Sequence, residues 1–256
     1  MRETGAAVTQ QQHFEPSRVQ DLLDIDAGYA AAMNRILRDC GFAGLDTVID
    51  FGCARGQWTS ALSAICGRVI GLDVTEASLD RARAAFAEAG AGNAEFANVR
   101  EHALDSLPPV DGLTCMDLLP LMAGSDMHAL FRFARDHLPA GAPLLCTSRN
   151  PKLLLDWLLT GERFRYEGFV AGLRKYASLG GHVLRSLGRR PVPDAPSARY
   201  LTFPESTIRL AESHGFELLR DPGAMRALDA VHVCEPTYAG PNRRFSHIDW
   251  YLFAKT

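Results

Sequence analysis

Between residues 47 and 73 the chain reads Thr-Val-Ile-Asp-Phe-Gly-Cys-Ala-Arg-Gly-Gln-Trp-Thr, then a helix-like run, then Arg-Val-Ile-Gly-Leu-Asp. No other stretch restricts the fold so strongly. Val48 to Phe51 is apolar apart from Asp50, the composition of a parallel strand buried on both faces. Gly52 and Gly56 bracket a turn, and a helix is predicted to begin near Gln57. Such a turn lets backbone N–H groups and a helix N-terminus approach a ligand closely. A second strand ends in Asp73, where an acid can accept both hydroxyls of a ribose lying outside the strands' carboxyl ends. The unit as a whole predicts a nucleoside-bearing cofactor.

The spacing separates the candidate cofactors. A dinucleotide fingerprint is G-x-G-x-x-G, its second glycine letting backbone reach the pyrophosphate. Here Gly52 and Gly56 are separated by Cys53-Ala54-Arg55, and Thr59 stands where a third glycine would fall. Asp50-Phe51-Gly52-Cys53-Ala54-Arg55-Gly56 instead resembles the first motif of class I S-adenosylmethionine-dependent methyltransferases, D-x-G-C-G-x-G. Gly71-Leu-Asp73-Val-Thr-Glu-Ala-Ser-Leu-Asp-Arg-Ala-Arg resembles that family's second strand and following helix. The resemblance covers residues 45 to 150 well and the remainder in outline. It implies S-adenosyl-L-methionine as cofactor and S-adenosyl-L-homocysteine as product, rather than NAD or FAD. Ala54 departs from the usual glycine; an alanine costs little there if its φ is negative.

The resemblance also implies further contacts. Asp50, Gly52, Cys53, Gly56, Asp73 and Val74 fall on its cofactor motifs. Glu101-His102-Ala-Leu-Asp-Ser-Leu-Pro resembles the family's adenine-contacting D-A-x-x-L-P turn, with His102 at the usual aspartate and Glu101 before it; either can bond the adenine amino group, and a solvent-facing pair is the alternative. A fourth strand over Gly112 to Leu118 carries Asp117 and Leu118 to the end where cofactor and acceptor meet. Members of the family often carry a histidine soon afterwards, but Pro120 and Leu121 stand there. The leading helical pattern from Pro16 to Cys40 places Tyr29 either against the methionine end or in the core.

The rest of the chain completes an α/β protein. Helices are predicted over 58–66, 76–89, 127–138 and 203–214, and strands over 95–99, 143–148, 216–220 and 247–254. The expected fold is a Rossmann-like, doubly wound seven-stranded sheet, mostly parallel with an antiparallel last strand, plus a helical lid insertion. Four regions follow: an N-terminal helical cap (1–40), the cofactor-binding core (41–150), a lid (151–200) and a C-terminal completion of the sheet (201–256).

Composition narrows the partners. Of 256 residues, 47% are hydrophobic and 22% charged, with net charge −3, so nothing draws the whole chain to nucleic acid or acidic membrane. The six cysteines are scattered without a C-x-x-C pair, and the expectation is buried, reduced thiols. With no apolar leader and no run of membrane-spanning length, a cytoplasmic enzyme is expected, and a homodimer is compatible with it. Within 163–190, Arg163, Arg165, Arg174, Lys175, Arg185, Arg189 and Arg190 stand against Glu167 alone. A segment so basic on an otherwise acidic chain fits an anionic or carrier-bound acceptor, or else a solvated face paired with acids elsewhere.

Methyl transfer is an in-line displacement that mainly requires alignment, and a hydroxyl acceptor gains from a general base. His247 and His182 are the candidate catalytic residues, each with a structural role as the alternative. No histidine–carboxylate cluster has metal-ligand spacing, so no metal is expected. The reading is a methyltransferase acting on oxygen or nitrogen of a small molecule. Its rivals are an RNA or protein methyltransferase using the basic lid, and a non-catalytic cofactor-binding scaffold. No aromatic-interleaved platform supports an RNA substrate.

Overall fold

The computed structural model describes residues 16–25, 27–100, 107–122, 124–149, 204–220 and 248–256. The strands are β1 (Thr47–Phe51), β2 (Arg68–Asp73), β3 (Ala94–Asn98), β4 (Gly112–Cys115), β5 (Pro143–Arg149), β6 (Phe216–Arg220) and β7 (Ile248–Lys255). The helices are α1 (Pro16–Leu22), α2 (Ala27–Asp39), α3 (Gln57–Ser63), α4 (Glu76–Glu88), α5 (Gly124–His137) and α6 (Pro204–Ser213). One seven-stranded sheet results, in the order β3-β2-β1-β4-β5-β7-β6. Strands β1 to β5 pair in parallel, and β7 runs antiparallel to both β5 and β6. The expected mostly parallel sheet with an antiparallel last strand is therefore what forms. Because β1 lies between β2 and β4, strand order reverses there and a crevice opens at the carboxyl ends of β1 and β4.

Both faces of the sheet are covered, so neighbouring residues of one strand enter different cores. Val48 and Val69 pack with α1 to α4, while Ile49 and Ile70 pack with α5 and α6. That is why these strands read as unbroken apolar runs rather than alternating ones. In β7, Trp250 and Leu252 join the first core and Tyr251 and Phe253 the second. The five described cysteines (Cys40, Cys53, Cys66, Cys115, Cys146) are free and buried, and burial pushes the thiols of Cys40 and Cys66 up to about 12. They are unreactive packing residues.

Some element boundaries differ from expectation. The leading helix is two helices, broken where Asp24 takes φ 53. Strand β4 stops at Cys115, because Asp117 adopts φ 55 and Leu119–Leu121 coil into a 3-10 turn. Helix α3 ends at Ser63, short of Cys66. The lid at 151–200 and the loop 234–247 lie outside the described residues. No described helix is long and apolar enough to cross a membrane.

Candidate cofactor site

The turn after β1 is built by the strand beside it. Gly52 and Gly56 both sit at positive φ, 82° and 86°, where a Cβ is disfavoured. The amides of Gly52 and Cys53 donate to the carbonyl of Leu72, at 2.7 and 3.0 Å, and that of Gly56 to Cys53 at 2.8 Å. The amide of Ala54 donates to Asp73 Oδ2 at 3.0 Å, while Thr75 N–H donates to Oδ1 of the same carboxylate at 2.8 Å. Four of the five turn amides are thus consumed by the protein itself. A pyrophosphate needs such amides free. What the turn offers instead is close backbone approach beside a fixed, half-buried carboxylate.

Ala54 does not meet the condition of negative φ: its φ is 47°. The left-handed region costs an alanine roughly 1–2 kcal/mol, and the bond to Asp73 holds it there. Ala54→Gly is expected to stabilise the fold by about 0.5–1 kcal/mol, part of the relief being lost to the freer unfolded chain. Urea unfolding of the two proteins checks this, and an unchanged or lowered midpoint would count against strain at this position.

Asp50 serves the turn from beneath. Its carboxylate is 1% exposed and accepts hydroxyls from Thr59 of α3 at 2.7 Å and Thr114 of β4 at 2.9 Å. Burial pushes its pKa up to about 6, although both hydroxyls favour the charged form. The folded pKa lies above the unfolded one, so the folded state binds the proton more tightly between them. Stability from this site is present below about pH 4 and is lost as pH rises through 6. Relative to Asp50→Asn, which does not titrate there, the wild-type protein should lose roughly 2–3 kcal/mol between pH 4 and 7. Parallel stability–pH curves for the two proteins would refute the shift.

The remaining candidates distribute around the crevice. Val74, next to Asp73, is 48% exposed, an apolar surface suited to an aromatic base. A network of Arg83, Glu76 and Asn98 braces that rim: Asn98 Nδ2 donates to Glu76 Oε2 at 3.0 Å, and Arg83 bonds both Glu76 and the Phe96 carbonyl. Leu118 stands over Gly52, so close that a Cβ there would come within 2.8 Å of Leu118 Cδ2. Asp117 is exposed at the end of β4, its amide donating to Thr147 Oγ1 at 2.7 Å. Cys53 is buried, and Tyr29 is half-buried against the α1–α4 core. Pro120 is buried in the 3-10 turn and Leu121 is exposed. Glu101, His102, His182 and His247 lie outside the described residues. Among the described residues no group of three or more potential ligands surrounds a metal position.

Three threonines escaped the sequence reading: Thr59, Thr114 and Thr147. Thr114 and Thr147 are polar residues inside otherwise apolar strands, and that was the available signal. Their partners lie on other elements and could not be named without the sheet order.

A family model described as a methyltransferase domain matches residues 48–141. A ubiquinone biosynthesis O-methyltransferase of Leptothrix cholodnii is 29% identical over 135 residues, spanning 51% of this chain and 56% of that protein. The chain thus covers little more than half of that relative's length. Among solved structures, magnesium protoporphyrin IX methyltransferase of Synechocystis PCC 6803 with bound SAH aligns with TM-score 0.54 and 16% identity, covering 100% of this chain and 90% of that one. The [4+2]-cyclase SpnF aligns equally well, with TM-score 0.54, 15% identity and coverage of 88% and 80%, so the fold alone does not fix a reaction. Motif, sheet order and the matched domain agree: residues 48–141 are similar to a methyltransferase domain, and the fold is shared with the solved structures above.

Proposed function

We propose that this protein binds S-adenosyl-L-methionine over the carboxyl ends of β1 and β4 and transfers its methyl group to an oxygen of a small-molecule acceptor. The observation that carries the cofactor assignment is the use of the turn amides. They are spent on Leu72, Cys53 and Asp73, which suits a nucleoside without phosphates, while Asp73 keeps lone pairs for ribose hydroxyls. The exposed face of Val74 suits adenine. The choice of oxygen rests on the likeness to the O-methyltransferase relative.

When bound, the cofactor supplies a methyl group on a positively charged sulfur. The chain's own residues align and enclose it. Asp73 orients the ribose, Glu101 or His102 bonds the adenine edge, and Gly52, Gly56, Cys53 and Leu118 shape the floor. Asp50, tied to Thr59 and Thr114, supports the turn. Asp117 takes the ammonium of the amino-acid end, and Tyr29 closes the cap. His247 or His182 removes the acceptor's proton. The basic segment 163–190 receives an anionic acceptor, and residues 151–200 act as its lid.

Calorimetric titration with S-adenosylmethionine, S-adenosylhomocysteine and NADH tests the reading. Micromolar binding of the first two and none of the third is expected. Binding of NADH alone would overturn it.

A further inference from the structure

Among the described residues three non-glycines have positive φ: Asp24, Ala54 and Asp117. Two of them follow the strands that bound the crevice, Ala54 after β1 and Asp117 after β4. Each has its amide pinned by a side-chain oxygen from the next strand outward. Asp73 of β2 holds Ala54 at 3.0 Å, and Thr147 of β5 holds Asp117 at 2.7 Å. Residues with a Cβ avoid this conformation, and it persists only where the surroundings impose it.

Thr147 is well placed to impose it. The residue is fully buried and pairs with Trp250 of β7. Trp250 in turn packs edge-on against Trp58 of α3, with ring centroids 5.8 Å apart. A threonine in a packed strand has few rotamers, so its hydroxyl is a fixed acceptor. The two pins differ in one respect: Asp73 is only half-buried at the crevice, whereas Thr147 is enclosed and reaches the crevice through the Asp117 amide it holds.

We infer that Thr147 is a positioning residue: by fixing Asp117 in the left-handed conformation it sets the exposed carboxylate where the ammonium of the cofactor's amino-acid end is bound. This rests on the cofactor reading above. A purely structural Thr147 would merely end β4 neatly, and the two roles predict different couplings.

The test is calorimetry with S-adenosylhomocysteine on the wild-type protein, Thr147→Val, Thr147→Ser, Asp117→Asn and the double variant Asp117→Asn/Thr147→Val. Asparagine tolerates the left-handed region, so Asp117→Asn removes charge without disturbing the backbone. Thr147→Val should weaken binding roughly 5- to 20-fold, Thr147→Ser by less than about 2-fold, and Asp117→Asn at least as much as Thr147→Val. Adding Thr147→Val to Asp117→Asn should cost no more than about 2-fold, because the carboxylate it positions is gone. Thr147→Ala takes the place of valine in the cycle if the latter does not fold. Full-strength binding by Thr147→Val, or an equal loss in both backgrounds, overturns the inference while leaving the cofactor reading intact. A wild-type protein that binds no S-adenosylhomocysteine overturns the cofactor reading itself.

Discussion

Asp73→Ala should raise the dissociation constant for S-adenosylhomocysteine by roughly 30- to 1000-fold, about 2–4 kcal/mol. The size reflects two losses from one side chain. The ribose hydroxyls lose a charged acceptor, and the amide of Ala54 loses the oxygen that holds it at φ 47°. Without that anchor the turn is free to leave a strained conformation, so ordering it becomes a cost of binding. Asp73→Asn retains one carbonyl oxygen and should fall between wild type and alanine. Calorimetry on the three proteins checks the order. An alanine variant that binds as tightly as wild type would remove Asp73 from the ribose and leave it a turn anchor only.

The second large effect is on the fold. Gly52→Ala should destabilise the protein by about 2–4 kcal/mol and abolish measurable cofactor binding. A Cβ at Gly52 would stand 2.8 Å from Leu118 Cδ2 and 3.2 Å from Leu118 Cβ, at φ 82°. Conformational strain and steric overlap therefore add at one position, and relief requires Leu118 to swing its methyls aside and its Cβ to give by a few tenths of an ångström. Gly141→Ala provides the control: its φ is 80°, yet nothing lies within 4 Å of its Cβ position. That variant should lose only the conformational part, roughly 1–2 kcal/mol. Unfolding midpoints for both, read with S-adenosylhomocysteine binding, separate the two contributions. Equal losses would show that the contact with Leu118 yields freely.

The three acids around the crevice divide their labour by environment. Asp50 is enclosed and bound by two hydroxyls, so it braces α3 against β1 and β4. Asp73 and Asp117 remain accessible at the strand ends, and each belongs to a pinned, left-handed amide, the first as acceptor and the second as donor. The proposed cofactor, with ribose hydroxyls at one end and an ammonium at the other, would meet one of these carboxylates at each end.

Much of this site could be read from the chain because its signals are local. An apolar run, a glycine-bearing turn and a second run ending in an acid are adjacent in sequence, and each depends on its own neighbours. Gly52 and Gly56 sit in the turn after β1 and Asp73 ends β2, where that local pattern puts them. The alternation of elements from Thr47 to Arg149 likewise follows from periodicity, and it directs the fold toward a doubly wound sheet. Boundaries failed where a tertiary contact cut an element short. Nothing in Thr-Cys-Met-Asp-Leu reveals that β4 stops at Cys115, since the left-handed Asp117 depends on Thr147 of another strand.

Non-local facts belong to the folded molecule. Gly71 reads as an ordinary strand residue, yet a Cβ there would lie 2.7 Å from Phe96 and 3.0 Å from Cys53, so its absence lets β3 and the turn close on β2. Asp50 reads as a ligand-facing acid, and only the assembled sheet shows Thr59 and Thr114 enclosing it. The one-dimensional pattern determined most of the described elements and their order, because propensity, turn chemistry and burial period act over a few residues. The tertiary structure decided which amides are spent, which carboxylate is enclosed and which backbone is strained, because those depend on contacts between distant strands.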